Sequence, residues 1–250
     1  MAEGVALGSP TLPGVSVVVP AYQAAATLGA ALESILAQER GADEILVVDD
    51  GSTDGSSDVA ARFEGVTVLR QPNQGDAAAR NAGVRVARGA FLAFLDADDV
   101  WMPEKIRVQL GFLEAHPEAD AVLAHHREVL APGAVPPPGF RRELLEGAHP
   151  GRLLGTLVAR RRAFERVGLL DPSYRSGSDS DWFFRASDAR LVMPMLPDVL
   201  LERRVRSDSL TAGAAVRNVH AELLRAAPAS LRRKTVASAG QGSGTDGTGA

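Results

Sequence analysis

Short apolar runs alternate with helix-like patterns through the first half of the chain. Several runs are rich in valine and isoleucine and too short for a buried helix, so each predicts a strand. The alternation predicts right-handed crossovers and an α/β fold whose mainly parallel sheet is flanked by helices. The predicted strands cover residues 15–19, 44–48, 66–69, 90–95 and 121–124, and the helices between them cover 28–38, 52–63, 76–87 and a segment starting at 103.

The second half has a less regular pattern, which predicts a smaller lobe. A proline-rich stretch interrupts the alternation and predicts a mobile loop over residues 131–150. The pattern then predicts a strand at 153–158, a helix at 162–167, a helix after Ser178, a strand at 198–205 and a helix at 216–227. The chain thus divides into a flexible start (1–14), a ligand-binding half (15–130), the mobile loop, a second half (151–228) and a disordered tail (236–250).

Composition narrows the classes of protein that this fold can serve. The chain has 250 residues, of which 45% are hydrophobic, so it can bury one sizeable core. It has no cysteine, which excludes disulfides, thiolate catalysis and cysteine-based zinc sites. With a net charge of −4, broad affinity for nucleic acid is not expected. No signal peptide and no apolar run long enough to span a membrane is visible, so a cytoplasmic location is expected.

Acidic residues follow two of the predicted strands at the point where each strand ends. Asp49 and Asp50 follow the second strand, and Asp96, Asp98 and Asp99 follow the fourth. The carboxyl ends of parallel strands meet at one edge of the sheet, where open α/β sheets bind ligands. Clustered carboxylates repel one another, and a divalent cation is a suitable counter-charge. We therefore expect a metal site for a phosphate-bearing ligand, where Asp49 or Asp50 accepts hydrogen bonds from a base or ribose.

Two further residues of the first half are candidates for the same edge. Tyr22 follows Pro20 at the end of the first strand, where its ring either stacks on a nucleobase or packs on the next helix. Arg80 lies near the start of an alanine-rich helix, where it either approaches a phosphate or pairs with a nearby aspartate.

A pair of acids in the second half is the candidate for proton transfer. Asp179 and Asp181 lie in the first turn of the helix after Ser178. Carboxylates are favoured there by the helix dipole, which explains either of them without a catalytic role. Alternatively, one of them is a general base beside the metal site, and Asp181 can also pair with Arg185 one helical turn later.

Taken in order, the motifs resemble those of the family 2 glycosyltransferases of the GT-A fold. The resemblance covers roughly residues 15–210 and is strongest in the first 110 residues. Two segments of the second half, 164–168 and 177–182, also look like the acceptor half of that family. The motifs that carry it are VSVVVPAY at 15–22, ILVVDDGSTD at 45–54, NQG at 73–75, ARNAG at 79–83 and FLDADD at 94–99.

The resemblance implies transfer of one sugar from a nucleotide-diphosphate donor, with a UDP-sugar favoured, to an acceptor hydroxyl, with inversion at the anomeric carbon. By motif match, Pro20, Tyr22 and Asp50 would hold the nucleoside. Asp98 and Asp99 would hold the ribose and the Mg²⁺ or Mn²⁺ that bridges the diphosphate. The acceptor can be a lipid-linked sugar, a small molecule or a peptide, and nucleic acid is not expected.

The resemblance also suggests the catalytic base and shows where the chain departs from the family. Asp179 matches the general base, but Ser178 stands where a glutamate is usual, which makes Asp181 a rival. Asp96 opens the acidic motif, and the pair that binds the metal is left open. Arg206 replaces the usual histidine and can still bind a phosphate.

Two other functions are compatible with an α/β fold of this kind. A non-catalytic sugar-nucleotide-binding protein would retain the donor site without transferring a sugar, and the changes at Ser178 and Arg206 favour it. A nucleotidyltransferase often has a basic loop after the first strand, but residues 20–27 contain neither lysine nor arginine.

Overall fold

The computed structural model describes Leu7, residues 12–174 and residues 176–207. Its strands are β1 (Leu12–Ala21), β2 (Glu44–Asp49), β3 (Val66–Arg70), β4 (Gly89–Phe94), β5 (Val100–Trp101), β6 (Ala121–Leu130), β7 (His149–Pro150), β8 (Val158–Arg160) and β9 (Met195–Val205). Its helices are α1 (Leu28–Leu36), α2 (Ser56–Ala60), α3 (Asp76–Val86), α4 (Lys105–Ala115), α5 (Arg161–Val167) and α6 (Ser178–Asp188). None of these helices is long and apolar enough to cross a membrane.

The strands form one sheet in the order β3-β2-β1-β4-β8-β6-β9-β5, and β7 pairs with a further part of β6. The first four are parallel to one another, which confirms the predicted α/β crossovers. Next, β8 runs antiparallel between β4 and β6, and β6 pairs in parallel with β9. The carboxyl ends of β1, β2 and β4 therefore meet at one edge.

The core lies on both faces of this sheet because the central strands are apolar on both sides. On β1, Val17 and Val19 pack into one hydrophobic cluster, with Leu32 of α1. Val18 between them packs into the other cluster, with Phe94 of β4 and Val84 of α3. Strands buried on both faces are typical of parallel sheets covered by helices.

The second half departs from the sequence prediction at one predicted strand. The strand predicted at 153–158 is wrong over most of its length. A 3₁₀ turn occupies Leu154–Thr156, and the strand β8 begins only at Val158. The Thr156 hydroxyl donates to the Leu153 carbonyl at 2.8 Å, which closes the turn. The loop predicted at 131–150 includes a second 3₁₀ turn at Arg142–Leu145 and the strand β7.

Several predicted segments fall outside the part of the chain that the structure describes. These are the helix at 216–227, the tail at 236–250 and most of the segment 1–14. The mobility of the loop at 131–150 and the five-segment division stay predictions.

Candidate active site

The loop after β1 presents the Tyr22 side chain to solvent at the carboxyl edge of the sheet. Its neighbour Gln23 connects this loop to the loop after β2, because the backbone N–H of Gln23 donates to the Ser52 hydroxyl at 3.1 Å. The Gln23 side chain in turn accepts from the Thr53 N–H at 2.8 Å. Tyr22 is 55% exposed, so its ring is open to a ligand rather than packed on α1.

Asp49 and Asp50, which end β2, both fasten the polypeptide around the site. Asp49 is buried, and its carboxylate accepts from the Ser52 N–H at 2.8 Å and from the Ser57 hydroxyl. Burial opposes its ionisation, but the bonds from Ser52 and Ser57 and the charge of Arg70 hold its pKa below the usual range. Asp49 is therefore ionised and structurally engaged.

Asp50 organises the segment that leads into α3. One carboxylate oxygen accepts from the Gln71 side chain at 2.7 Å and from the Gln74 N–H at 2.9 Å. The other accepts from the Gly75 N–H at 2.8 Å. Both Asp49 and Asp50 thus have hydrogen-bond partners within the protein. A carboxylate oxygen can still accept a further hydrogen bond from a ligand.

Arg80 of α3 is buried and joins its helix to the acidic motif after β4. Its guanidinium contacts Asp76 one turn earlier and Asp96 across the site. Its Nε has no hydrogen-bond partner in the described residues. Of the two roles predicted for Arg80, pairing with a nearby aspartate is the one observed. This pairing places the Arg80 guanidinium at the acidic motif.

The acidic motif itself lies against β9. Asp99 is buried, and its carboxylate accepts from the Arg204 N–H at 2.9 Å. Asp98 lies 3.7 Å from the Arg206 guanidinium. Burial and the neighbouring Asp96 raise the pKa of Asp98, and the same causes, with Asp98 added, raise the pKa of Asp99 well above its ordinary value. Burial and mutual repulsion thus both oppose full ionisation of Asp98 and Asp99.

These carboxylates fit a hard divalent cation, as the sequence suggests. Oxygen donors suit Mg²⁺ or Mn²⁺, and such a cation would offset the burial and the repulsion that together raise both pKa values. In the described ranges, no group of three or more histidine, cysteine, aspartate or glutamate side chains could hold a metal ion. A cation at this motif would therefore have at most two such side chains as ligands among the described residues.

The two candidate bases occupy different surroundings on α6. Asp181 forms an ion pair with Arg185 at 2.8 Å, and Arg185 also donates to the carbonyls of Val167 and Leu169. Asp181 is thus tied to the surface between α5 and α6.

Asp179 is partly buried, and its carboxylate accepts from the Ser180 N–H at 2.7 Å. Burial raises the pKa of Asp179, the charge of Arg80 lowers it, and Asp96 raises it further. Asp179 therefore has no ion pair like that of Asp181 with Arg185 among the described contacts, and it lies within the electrostatic influence of Arg80 and Asp96.

Two charged residues at the site were not singled out from the sequence. Glu128 on β6 and Arg203 on β9 form an ion pair at 2.8 Å beside the acidic motif. The sequence offers no clear signal for them, because each is one of several charged residues in its strand, beside Arg127 on β6 and beside Glu202 and Arg204 on β9. Their proximity depends on a strand register that the sequence does not reveal.

Comparison with known proteins decides the family. The model of the family described as "Glycosyl transferase family 2" matches residues 16–168, which is more than half of the chain. The chain belongs to glycosyltransferase family 2. The predicted family and enzyme class are confirmed at this level.

Curated relatives are similar over part of the chain. An uncharacterized glycosyltransferase of Haemophilus influenzae is 30% identical over 178 residues, covering 68% of this chain and 60% of its own length. The Escherichia coli protein WfaP, named as a UDP-Glc:alpha-D-GlcNAc-diphosphoundecaprenol beta-1,3-glucosyltransferase, is 37% identical over 103 residues, covering 40% of this chain and 41% of its own length. The chain spans between 17% and 42% of the length of the first curated relatives that it matches.

Solved structures confirm the predicted GT-A fold. S. aureus TarS 1-349 in complex with UDP-GlcNAc has a TM-score of 0.66 at 20% identity, over 88% of this chain and 69% of that one. The mannosyltransferase PcManGT of Pyrobaculum calidifontis, in complex with GDP-Man and Mn²⁺, has a TM-score of 0.64 at 23% identity, over 88% of this chain and 65% of that one. At these identities the likeness shows the fold alone.

Proposed function

We propose that this chain is the catalytic part of a metal-dependent, inverting glycosyltransferase, which moves one sugar from a nucleotide-diphosphate donor to an acceptor hydroxyl. The position of Asp179 supports this function most directly. This carboxylate comes from the second half of the chain, yet it lies within electrostatic reach of Arg80 and Asp96 from the first half. On this proposal, the proton acceptor and the acidic motif that would bind the metal belong to one site.

The donor would bind along the carboxyl edge of the sheet. The exposed ring of Tyr22, beside Pro20, is available to stack on the base, and Asp50 lies on the next loop for the nucleoside. Asp98 and Asp99 would hold the ribose and a Mg²⁺ or Mn²⁺ ion. When bound, the ion supplies Lewis-acid stabilisation of the departing diphosphate.

Two arginines are placed to complement the phosphates. Arg80 is fixed by Asp76 and Asp96, so its position at the acidic motif is set before a ligand arrives. Arg206, directly after β9, lies 3.7 Å from Asp98 and would add a second cation beside the acidic motif. An arginine stays charged throughout the physiological pH range, unlike the histidine usual in the family.

Asp179 would take the proton from the acceptor hydroxyl. A carboxylate whose pKa is raised by burial is a stronger base than a solvated one, and the charge of Arg80 limits the rise. The activated oxygen then attacks the anomeric carbon from the face opposite the diphosphate. A single displacement of this kind inverts the configuration at that carbon.

The names of the relatives favour a UDP-sugar donor and suggest an acceptor. TarS structures are titled as complexes with UDP and UDP-GlcNAc, and PcManGT as a complex with GDP-Man. The name of WfaP includes a lipid-linked sugar acceptor. We therefore favour a UDP-sugar and a sugar acceptor linked to a lipid diphosphate, with the loop at 131–150 beside the acceptor.

Calorimetric titration with nucleotides tests the donor site. We expect UDP to bind in the presence of Mn²⁺ and to lose affinity in EDTA, with GDP as the comparison. Asp99→Ala should abolish the metal-dependent part of UDP binding, because it removes a buried carboxylate of the acidic motif. Asp181→Asn, which alters only the pair with Arg185, should retain metal-dependent UDP binding. Equal affinity of the wild-type protein for UDP with Mn²⁺ and with EDTA would contradict metal dependence.

A non-catalytic sugar-nucleotide-binding protein is the second candidate, favoured by Ser178 in place of the usual glutamate. Hydrolysis of the donor in the absence of acceptor separates the two functions. Release of UDP from UDP-Glc or UDP-GlcNAc supports the enzyme, while metal-dependent UDP binding without turnover of any donor supports the binding protein.

A further inference from the structure

The loop that presents Tyr22 contains a residue with an unusual backbone conformation. Gln23, the next residue, has a φ of 50°, which lies in the left-handed region. A Cβ disfavours this conformation, and glycine adopts it most readily. Among the described residues, nine glycines have a positive φ, and Gln23 and Arg190 are the two other residues that do. The chain thus places glycine at most of its left-handed turns, so a long polar side chain at position 23 suggests a role for that side chain.

The contacts of Gln23 hold it to the loop after β2. Its backbone N–H donates to the Ser52 hydroxyl at 3.1 Å. Its side-chain Oε1 accepts from the Thr53 N–H at 2.8 Å, and its Nε2 donates to the Thr53 hydroxyl at 3.3 Å. The backbone and both polar atoms of the side chain therefore bond to one turn. A strained backbone conformation persists where its surroundings fix it in this way.

Three further hydrogen bonds fasten the loop after β1 to the loop after β2, on either side of Tyr22 and Gln23. They join the Ala21 carbonyl to the Asp50 N–H at 2.8 Å, the Ala24 N–H to the Ser56 hydroxyl at 2.9 Å and the Ala25 N–H to the Asp54 carboxylate at 2.9 Å. Tyr22 lies within this fastened segment, yet its side chain is 55% exposed. The backbone is thus fixed while the ring projects into solvent.

The turn that holds Gln23 is itself anchored in the sheet. Ser52 is buried, and its N–H donates at 2.8 Å to Asp49, the last residue of β2. Asp49 is also buried. The contact of Gln23 with Ser52 therefore leads to a rigid strand end rather than to a loose surface loop.

We propose that Gln23 is a positioning residue for the donor base, which holds the Tyr22 ring at the carboxyl edge of the sheet through its left-handed backbone and its bonds to Ser52 and Thr53. This inference rests on the proposed function, in which the ring stacks on that base. A ring that is ordered before the base arrives loses less conformational freedom on binding. Gln23 should therefore strengthen nucleotide binding without contacting the nucleotide.

The first test compares a ligand that has a base with one that has none. Calorimetry with Mn²⁺ gives the affinities for UDP and for inorganic pyrophosphate. Gln23→Ala should weaken UDP binding about tenfold, because stacking on the base is lost, and should leave pyrophosphate binding unchanged. Arg190→Ala is the matched control, because it removes the side chain of the other left-handed residue, just after α6, and should change neither affinity.

The second test asks whether Gln23 acts through the Tyr22 ring. Tyr22→Ala should also weaken the binding of UDP and not that of pyrophosphate. In a double-mutant cycle, Gln23→Ala should cause little further loss once Tyr22→Ala is present. Thr53→Val, which retains the N–H that is bonded to Gln23, should bind UDP as the wild-type protein does.

The third test observes the ring without any ligand. The chain has two tyrosines, Tyr22 and Tyr174, so 3-fluorotyrosine labelling gives two fluorine NMR signals, and Tyr22→Phe assigns them. Gln23→Ala should narrow the Tyr22 signal because the ring gains fast motion, whereas Arg190→Ala should not. Gln23→Gly suits the left-handed backbone and covers the case in which Gln23→Ala fails to fold. It should give the same narrowing, because it too lacks the amide.

An unchanged UDP affinity or an unchanged Tyr22 line width in the folded variant lacking the Gln23 amide would overturn the inference. Equal losses of UDP and pyrophosphate binding, or additive losses from Gln23→Ala and Tyr22→Ala, would overturn it as well. Absence of UDP and GDP binding by the wild-type protein would instead count against the proposed function, and the fluorine spectra would still decide whether Gln23 orders the Tyr22 ring.

Discussion

The role open to each carboxylate of the site follows from the contacts of its two oxygens. Asp181 is two residues from Asp179, and the sequence alone supports either as the base. The structure separates them because Arg185 holds Asp181, while the Asp179 carboxylate is partly buried and accepts only from the Ser180 N–H among the described contacts. Sequence patterns predict that acids gather at this edge, but they do not show which side chains other residues already engage.

Lys105 of α4 is a residue whose ionisation should affect stability rather than catalysis. It is fully buried, its ammonium group contacts the Gln109 side chain, and it lies 5.0 Å from the centre of the Trp101 ring. Burial lowers its pKa from 10.5 to about 7. Between these two values the unfolded chain binds a proton that the folded chain does not, so the contribution of Lys105 to stability rises with pH.

Lys105→Met removes this titration. In urea unfolding between about pH 7 and pH 9, the free energy of unfolding of the wild-type protein should rise relative to that of the variant by up to about 1.4 kcal/mol per pH unit. The two curves should run parallel below about pH 6, where the lysine is charged in both states. Parallel curves over the whole range would show that Lys105 is charged in the folded protein.

At the scale of elements, the first half could be predicted because each strand is decided by its own residues. The strands predicted at 44–48 and 66–69 are found within one residue of their predicted ends. The strands β5 and β7 have two residues each and exist only through their partners β9 and β6, so no local pattern marks them. The pairing of Glu128 with Arg203 likewise depends on a register between strands that are distant in sequence.

The contact between α3 and β1 gives a prediction at this scale. Gly83 of α3 packs on Val18, and a Cβ on Gly83 would lie 2.4 Å from the Val18 Cγ1. Gly83→Ala should therefore destabilise the protein by about 1–3 kcal/mol through overpacking, measured by urea unfolding.

Gly111 of α4 is the matched control, since a Cβ there would meet nothing within 4 Å. Gly111→Ala should be neutral or stabilising by up to about 1 kcal/mol, because alanine favours helix. If Gly111→Ala lowered the free energy of unfolding as much as Gly83→Ala does, the close contact between α3 and β1 would not be the cause of the destabilisation.

At the scale of the whole molecule, the fold joins two halves of the chain at one site. The parallel strands lead into the acidic motif and the exposed tyrosine, and on the proposed function α6 would add Asp179 to them. The α/β class and the family could be inferred from the sequence because they depend on ordered local motifs. The identity of the sugar and of the acceptor could not be inferred from the sequence, because loops from both halves of the chain would surround them and the geometry of those loops is not encoded in a local motif.

The central claim is that Asp179 is the base of a sugar-transfer reaction at this site. The most direct measurement is turnover of UDP-Glc and UDP-GlcNAc with Mn²⁺ by the wild-type protein, Asp179→Asn and Asp181→Asn, together with UDP binding by each. We expect Asp179→Asn to bind UDP normally and to lose turnover by about a hundredfold or more, while Asp181→Asn retains both. Loss of turnover in Asp181→Asn alone, with Asp179→Asn active, would contradict the account.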